Sequence, residues 1–167
     1  RRRLFGPRVV IGIPSGVTNV ESRAVRDAAI NAGAREVHVV EEPMAGAVGA
    51  KLPIWDPVGT MVIDIGGGTT DIAMISLGGV VASKETTVAG DTFNQNIIDY
   101  IRDEFKMIVG AKTAEDLKIQ VASMVQLPES LEMTIRGRDI LTGLPREVTI
   151  TDQHIRTALA PSMEALM

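Results

Sequence analysis

Cysteine is absent from the 167 residues. Its absence excludes disulfides, thiolate metal sites and cysteine nucleophiles, and it fits a reducing compartment. Histidine is nearly absent too. His38 and His154 stand far apart, so a His-based metal cluster is not expected, and each reads as a strand or helix-face residue. No apolar run approaches the ~20 residues that cross a bilayer. A formal net charge of −4 argues against a nucleic-acid partner. No internal repeat or low-complexity segment occurs, so boundaries come only from the order of elements. What is present is a hydrophobic fraction of 45%, sufficient for the core of one domain or two small lobes.

The chain is organised around Val62–Ile63–Asp64–Ile65–Gly66–Gly67–Gly68–Thr69–Thr70–Asp71. Met61 to Ile65 reads as a buried strand with one carboxylate near its end. Three glycines follow. They permit positive φ and close backbone approach, so the turn can aim several N–H groups one way. Such a concavity binds anions, phosphate above all. Thr69 and Thr70 add hydroxyls, and a second strand leaves at Ile72. Asp64 then stands where a Mg²⁺ shell would lie beside phosphates. The competing reading is an ordinary glycine-rich hairpin, like the one expected at Gly78–Gly79. A Walker A loop is excluded because no Lys-Ser or Lys-Thr follows, and the dinucleotide turn is excluded because that turn leads into a helix.

Taken in order, Arg8–Ile13 is β-branched and reads as a strand. Thr18 and Glu21 form a capping box for a helix to about Ala32, with Ala24, Val25, Ala28 and Ala29 on one face and Gly33 as its C′ residue. Val37–Val40 is the next strand, which makes a parallel βαβ unit. Pro43 is expected to open a helix through about Ala50, with Glu42 at its N-cap, where the dipole favours a carboxylate. Taken alone, Glu41–Glu42 reads as simple capping. The adjacent phosphate turn changes that, because ligands in α/β sheets gather beyond the carboxyl ends of strands. Leu52–Gly59 reads as a loop and Val80–Val88 as a third antiparallel strand. Gly90–Asp91 caps a long helix carrying Phe93, Ile97, Ile101 and Phe105 at four-residue spacing, closed by Gly110. A helix from Thr113 points Leu117, Val121 and Met124 inward and ends by Pro128. Its Glu115 and Lys118 share a face, which taken alone reads as a surface ion pair. Leu131–Arg136 and Glu147–Ile150 form a hairpin around Gly137 and Gly143. Thr151–Asp152 caps the last helix, which Pro161 is expected to kink or end.

Residues 64–71 resemble the second phosphate loop of the actin/sugar kinase/chaperone ATPase superfamily, and Glu42–Pro43 with its Ala/Gly-rich helix resembles the helix connecting that fold's halves. Val10–Ile11–Gly12–Ile13–Pro14–Ser15–Gly16–Val17–Thr18, Glu41–Glu42–Pro43–Met44–Ala45, Ala89–Gly90–Asp91 and Leu141–Thr142–Gly143–Leu144–Pro145–Arg146 are similar to the MreB family of bacterial actin homologues, over essentially the whole chain. The resemblance implies an α/β, actin-like (ribonuclease H-like) fold in part: a mixed sheet flanked by helices, plus a small α+β lobe. It divides the chain into 1–51, the end of a first large subdomain with the connecting helix; 52–88, the first part of a second; 89–150, a small subdomain; and 151–167, a return helix of the second.

The resemblance also implies ATP and Mg²⁺ as cofactors. Asp64 would hold Mg²⁺ through water. Gly66, Gly67, Gly68, Thr69 and Thr70 would bind phosphates, and Glu42 with Thr69 would orient the attacking water rather than act as a strong base. Glu115 and Lys118 would contact the nucleoside. The implied protein is a cytoplasmic ATPase at the inner face of the membrane. It self-associates into filaments, works with membrane-associated cell-elongation proteins and directs rod shape and wall growth. A DnaK-type chaperone domain is the alternative, and a sugar or acetate kinase a third reading that lacks a candidate catalytic carboxylate. Asp71 stands where the resemblance leads one to expect Glu. The Arg1–Arg2–Arg3 start, read as a solvated connection, and the stop at Met167 inside a helical pattern suggest a piece of a longer protein. It lacks the superfamily's first phosphate loop and its adenosine loop, so the piece alone is expected to be inactive.

Overall fold

The computed structural model describes residues 6–167; the Arg1–Arg3 triplet lies outside them. The chain parts into two compact units, one ending at Thr86 and the other beginning at Thr87.

In the first unit, β1 (Arg8–Ile13) and β2 (Glu36–Glu41) pair in parallel, from Arg8 opposite Glu36 to Ile13 opposite Glu41, as the βαβ spacing predicts. The crossover is α1 (Asn19–Asn31). Its capping box is reciprocal: Thr18 N–H donates to Glu21 Oε2 at 2.9 Å and Glu21 N–H donates to Thr18 Oγ1 at 3.3 Å. Gly33 leaves the helix at φ +102°, the left-handed conformation that only glycine adopts without penalty. The half-buried row is Ser22, Val25 and Ala29, an i, i+3, i+7 stripe; the expected Ala24 and Ala28 face solvent.

Helix α2 (Glu42–Gly49) starts at once after β2. Here the expected register moves by one residue. Extended Glu41 is the N-cap, without a side-chain cap bond, and Glu42 is already helical. Pro43 is then second in the helix, a position whose N–H has no intrahelical acceptor to lose. Three antiparallel strands follow in the order β3–β4–β5: β3 (Thr60–Ile65), β4 (Thr70–Ser76) and β5 (Gly79–Thr86). Strand β4 begins two residues before the expected Ile72 because the ladder closes up to Ile65 opposite Thr70. Leu77 and Gly78, at φ 51° and 74°, make the primed two-residue turn that suits strand twist. A Cβ on Gly78 would lie 2.2 Å from Trp55 Cζ3, so the loop 52–59 seats its tryptophan on that glycine. Ala47, Ile54 and Ile75 form the small core beneath, joining α2 to the sheet.

The second unit holds α3 (Gly90–Phe105), β6 (Met107–Ile108), α4 (Ala111–Val121), β7 (Glu132–Asp139), β8 (Pro145–Thr151) and α5 (Asp152–Leu166), with sheet order β6–β7–β8. Phe93, Ile97 and Ile101 meet Leu117, Val121, Ile135, Ile150, Ile155 and Leu159 in one core. Several boundaries differ from expectation. Ala89, not Gly90, is the N-cap of α3. That helix ends at left-handed Lys106, φ 52°, because buried Met107 must pair with Asp139 in the sheet. Gly110 instead caps the start of α4. The latter stops at Val121, which leaves Met124 exposed and Pro128 well beyond its end. Gly137 is not in a turn. A Cβ there would lie 2.6 Å from the Ile108 carbonyl oxygen, so the close approach of β6 requires glycine in mid-strand. Pro161 neither ends nor breaks α5. It and Thr157, whose carbonyl loses its helical donor, both lie on the exposed side, where that carbonyl is open to solvent rather than buried without a partner.

Two carboxylates lock this unit. Asp139 accepts the Leu141 and Thr142 N–H groups at 2.9 Å each and Arg146 Nη1 at 3.1 Å, which shapes the β7–β8 turn. Asp152 accepts the Ser130 hydroxyl at 2.5 Å and Arg156 Nη2 at 2.7 Å, while Arg156 holds the carbonyls of Ser123 and Val125. The Thr142 N–H, ahead of Arg146, holds the Asp139 carboxyl below its usual range, and the Ser130 hydroxyl, ahead of Arg156, does so for Asp152; burial opposes both. A lowered native pKa gives stability that is present above the ordinary value of 3.8 and is lost as pH falls through the native one. Acid unfolding followed by far-UV circular dichroism should therefore show a limb below that value, and Asp152→Asn should flatten it. An acid limb of unchanged slope in Asp152→Asn would count against this tie.

Candidate functional site

The rim at the carboxyl ends of β1, β2 and β3 gathers most of the residues that the sequence singles out. Glu42 follows β2 directly and lies against β1: a Cβ on Gly12 would be 3.1 Å from Glu42 Cγ and 3.5 Å from its Oε1. Gly12 therefore makes room for the glutamate on the strand. Asp64, near the end of β3, is exposed and stands opposite Asp71 on β4. Asp71 is 3% exposed and accepts the Ser15 N–H at 3.4 Å. The ends of β1 and β4 thus meet, and Glu42, Asp64 and the glycine turn share one rim.

The turn itself spans residues 66–69 and is closed by Gly66 N–H donating to the Thr69 carbonyl at 2.9 Å. The expected reason for its glycines needs revision. Neither Gly66 nor Gly68 has φ in the left-handed region. A Cβ on Gly66 would lie 3.2 Å from the Thr69 oxygen, whereas one on Gly68 would meet nothing within 4 Å. Neither backbone conformation nor internal packing calls for glycine at 68. The bare main chain leaves open space on the outer side of the turn, next to the half-buried Thr69 and fully buried Thr70. That space suits a group approaching from outside, and the Gly67 and Gly68 main chain with the Thr69 hydroxyl suits an anion; the expected Thr70 hydroxyl is buried away from it. Among the described residues no three His, Cys, Asp or Glu side chains are placed to hold a metal. A Mg²⁺ ion bound through one carboxylate, waters and phosphates needs no such cage.

Glu115 and Lys118 belong to the second unit, on α4. They are more than a surface pair. Lys118 Nζ donates to Glu115 Oε2 at 2.7 Å and to the Gly90 carbonyl at 3.4 Å, and Asn94 Nδ2 donates to the same Glu115 oxygen at 2.7 Å. Lys118 first, then Asn94, holds the Glu115 carboxyl below the usual range. One oxygen is anchored twice, which fixes the side chain as an ionised acceptor.

Sequence reasoning did not assign roles to Gly12, Ser15, Asp71 or Asn94. A lone glycine inside Val9–Val10–Ile11–Gly12–Ile13 is a sign of close approach in a strand and could have exposed the first. The others depend on distant partners and leave no local mark.

The parallel β1–β2 pair, the antiparallel β3–β4–β5 sheet, the connecting helix and the small lobe define an actin-like fold. MreB5 of Spiroplasma citri bound to AMPPNP matches with a TM-score of 0.92 and 41% identity over 97% of this chain and 49% of that one. A MamK double helical filament matches with a TM-score of 0.73 at 23% identity over 96% of this chain and 47% of that one, a likeness of fold. The family model described as MreB/Mbl protein matches residues 1–167, and the chain belongs to that family. It is 44% identical over 161 residues to the cell shape-determining protein Mbl of Bacillus subtilis, covering 96% of this chain and 48% of the relative. Against the cell shape-determining protein MreB of Escherichia coli strain K12 it is also 44% identical over 161 residues, covering 96% and 46%. The chain spans about half the length of the curated relatives it matches.

Because Gly68 is needed by neither φ nor packing, Gly68→Ala should leave folding stability unchanged or raise it by about 0.4–1 kcal/mol. Urea unfolding measures this, and a clear loss of stability would show that the fold itself uses that glycine.

Proposed function

We propose that the longer protein containing this chain binds Mg²⁺-ATP across the rim described above, hydrolyses it, and forms actin-like filaments that direct bacterial cell shape and wall elongation. The observation that carries this reading is the shared rim: a carboxylate at a strand end, an open glycine turn and a second carboxylate on a helix start, held together by the Ser15–Asp71 bond. Backbone N–H groups at Gly67 and Gly68 and the half-buried Thr69 hydroxyl cradle phosphate oxygens, whereas the Gly66 N–H closes the turn on the Thr69 carbonyl and the Thr70 side chain is buried behind it. Asp64 holds the water shell of Mg²⁺, which supplies charge neutralisation to the phosphates. Glu42, fixed on Gly12, orients the attacking water with Thr69. Phosphoryl transfer needs positioning and charge neutralisation rather than covalent chemistry, and these residue types supply both. Glu115 and Lys118, held by Asn94 and the Gly90 carbonyl, contact the nucleoside.

The nucleotide complex of MreB5 supports the ligand class, the MamK filament supports self-association, and the names of Mbl and MreB support the cellular role. They favour a cytoskeletal protein over a DnaK-type chaperone. No helix among the described residues is long and apolar enough to cross a membrane; association with the inner membrane face, and with cell-elongation proteins there, is part of the proposal.

Electron microscopy of the complete protein with Mg²⁺-ATP should show filaments; their absence under conditions where nucleotide binds would count against the cytoskeletal reading. In that protein Glu42→Ala should slow ATP turnover by about 10²-fold while sparing affinity, and Asp64→Ala should weaken Mg²⁺-ATP binding. Unchanged turnover in the first, or unchanged affinity by titration in the second, would remove that residue from the mechanism.

A further inference from the structure

We infer that Asp71 is a positioning residue, which sets the separation between Glu42 and the glycine turn through its hydrogen bond to the Ser15 backbone. The inference rests on the nucleotide-site reading above and adds a residue that the reading does not use. Asp71 lies two residues beyond Thr69, is 3% exposed and accepts the Ser15 N–H at 3.4 Å. A buried carboxylate is costly unless it is engaged, and its position makes the cost worse. Asp64 and Glu85 are its register partners on either side, so three acidic side chains share one cross-strand row, where like charges disfavour pairing. Glu85 also approaches the β1 end, with its Oε2 3.0 Å from where a Gly16 Cβ would be. A neutral strand residue at 71 would relieve this row. The carboxylate is accounted for if an acceptor for the Ser15 N–H is needed where it stands.

The chain of contacts says what it is needed for. Glu42 is seated on Gly12, so its place follows β1. Ser15 is the second residue after β1 ends, and its N–H is held by Asp71. Asp71 is paired with Asp64 in the ladder that ends at the turn. Glu42 therefore rests on the β1–β2 pair at the start of α2, the turn belongs to the β3–β4–β5 sheet, and Asp71 bridges the two sheets at the rim. A shift of the two sheets would leave the phosphate cradle intact, because that cradle lies wholly within the β3–β4 hairpin. It would misplace Glu42 relative to the cradle. The expected signature is a fall in turnover with affinity preserved, since an error near 1 Å in position costs about 10²-fold in rate.

The test uses the complete protein, with Mg²⁺-ATP affinity from equilibrium titration and turnover from single-turnover hydrolysis. Asp71→Ala removes the acceptor and should lower turnover at least about tenfold with the dissociation constant within about threefold. Asp71→Asn keeps an oxygen for the Ser15 N–H and should restore turnover to within about threefold of the parent. Wild-type turnover in Asp71→Ala, an Asn variant as slow as the Ala variant, or a matching loss of affinity each overturns the inference. If Asp71→Ala does not fold by circular dichroism, Asp71→Glu decides. It lengthens the tether by one methylene, so slower turnover at unchanged affinity supports the role and parental turnover refutes it. A parent protein that does not bind Mg²⁺-ATP at all defeats the nucleotide-site reading itself, a result distinct from any of these.

Discussion

The meeting of strand ends at one rim is the constraint on which the first unit depends. Parallel β1 and β2 finish side by side, and the second of them runs straight into α2. The β3–β4–β5 sheet is a separate hydrogen-bonded ladder. Helix α2 packs Ala47 against Ile75 on that ladder and Ile54 of the loop before it, and the Ser15 N–H meets Asp71 at the rim. The apolar contact fixes which faces adjoin, while the polar contact fixes the alignment of the ends. Apolar packing of small residues tolerates sliding, whereas a hydrogen bond weakens steeply once its geometry fails. Alignment at the rim is therefore a polar property laid over an apolar one.

The second unit follows a different plan. Its aliphatic core is continuous across α3, α4, α5 and the β6–β7–β8 sheet. Loops on that core are held by buried or half-buried charges whose partners are mostly main-chain groups: Asp139 by the Leu141 and Thr142 N–H groups, and Arg156 by the Ser123 and Val125 carbonyls. The same device appears at Lys118, which donates to the Gly90 carbonyl as well as to Glu115. A side-chain charge that binds main chain fixes a loop's path as well as neutralising itself. Glu115 is held in its orientation by Lys118 and Asn94, and Lys118 is itself tied to the start of α3.

Much of this was legible in the chain. The βαβ unit, the Thr18–Glu21 box, the glycine turn between two strands and the Phe93–Ile97–Ile101 stripe follow from local periodicity and turn chemistry, and the structure bears them out. Errors concentrated where a distant partner overrides a local signal. Gly110 looked like the end of α3 because glycine ends helices, but the Met107–Asp139 pairing stops that helix earlier. Pro161 is expected to kink or end α5, yet the helix runs on to Leu166, with both the proline and the carbonyl it strands on the exposed side. His154 gave no sign that its Nδ1 would accept the Thr151 N–H at 3.1 Å and complete a cap. At the rim, Asp64 stood out as the one carboxylate near the end of its strand and Glu42 as a carboxylate at a helix start. Asp71 did not, because its meaning depends on Ser15, 56 residues away.

The glycines separate what the fold requires from what a ligand would require. Gly78 is demanded twice over, by positive φ and by the Trp55 ring. Gly137 is demanded by the Ile108 carbonyl, and Gly12 by the Glu42 side chain. Each of these has an internal reason that a Cβ would violate. Gly68 has none: its backbone is open to any residue and the space beside it is empty. Glycine in a turn also costs more conformational entropy on folding than alanine would. Gly46, Gly49 and Gly110 are open in the same way, so at Gly68 it is the setting, between a carboxylate-bearing strand and two threonines, that fits the phosphate turn proposed above. The same reasoning separates this turn from the hairpin at Leu77–Gly78, whose glycine the protein uses entirely for itself.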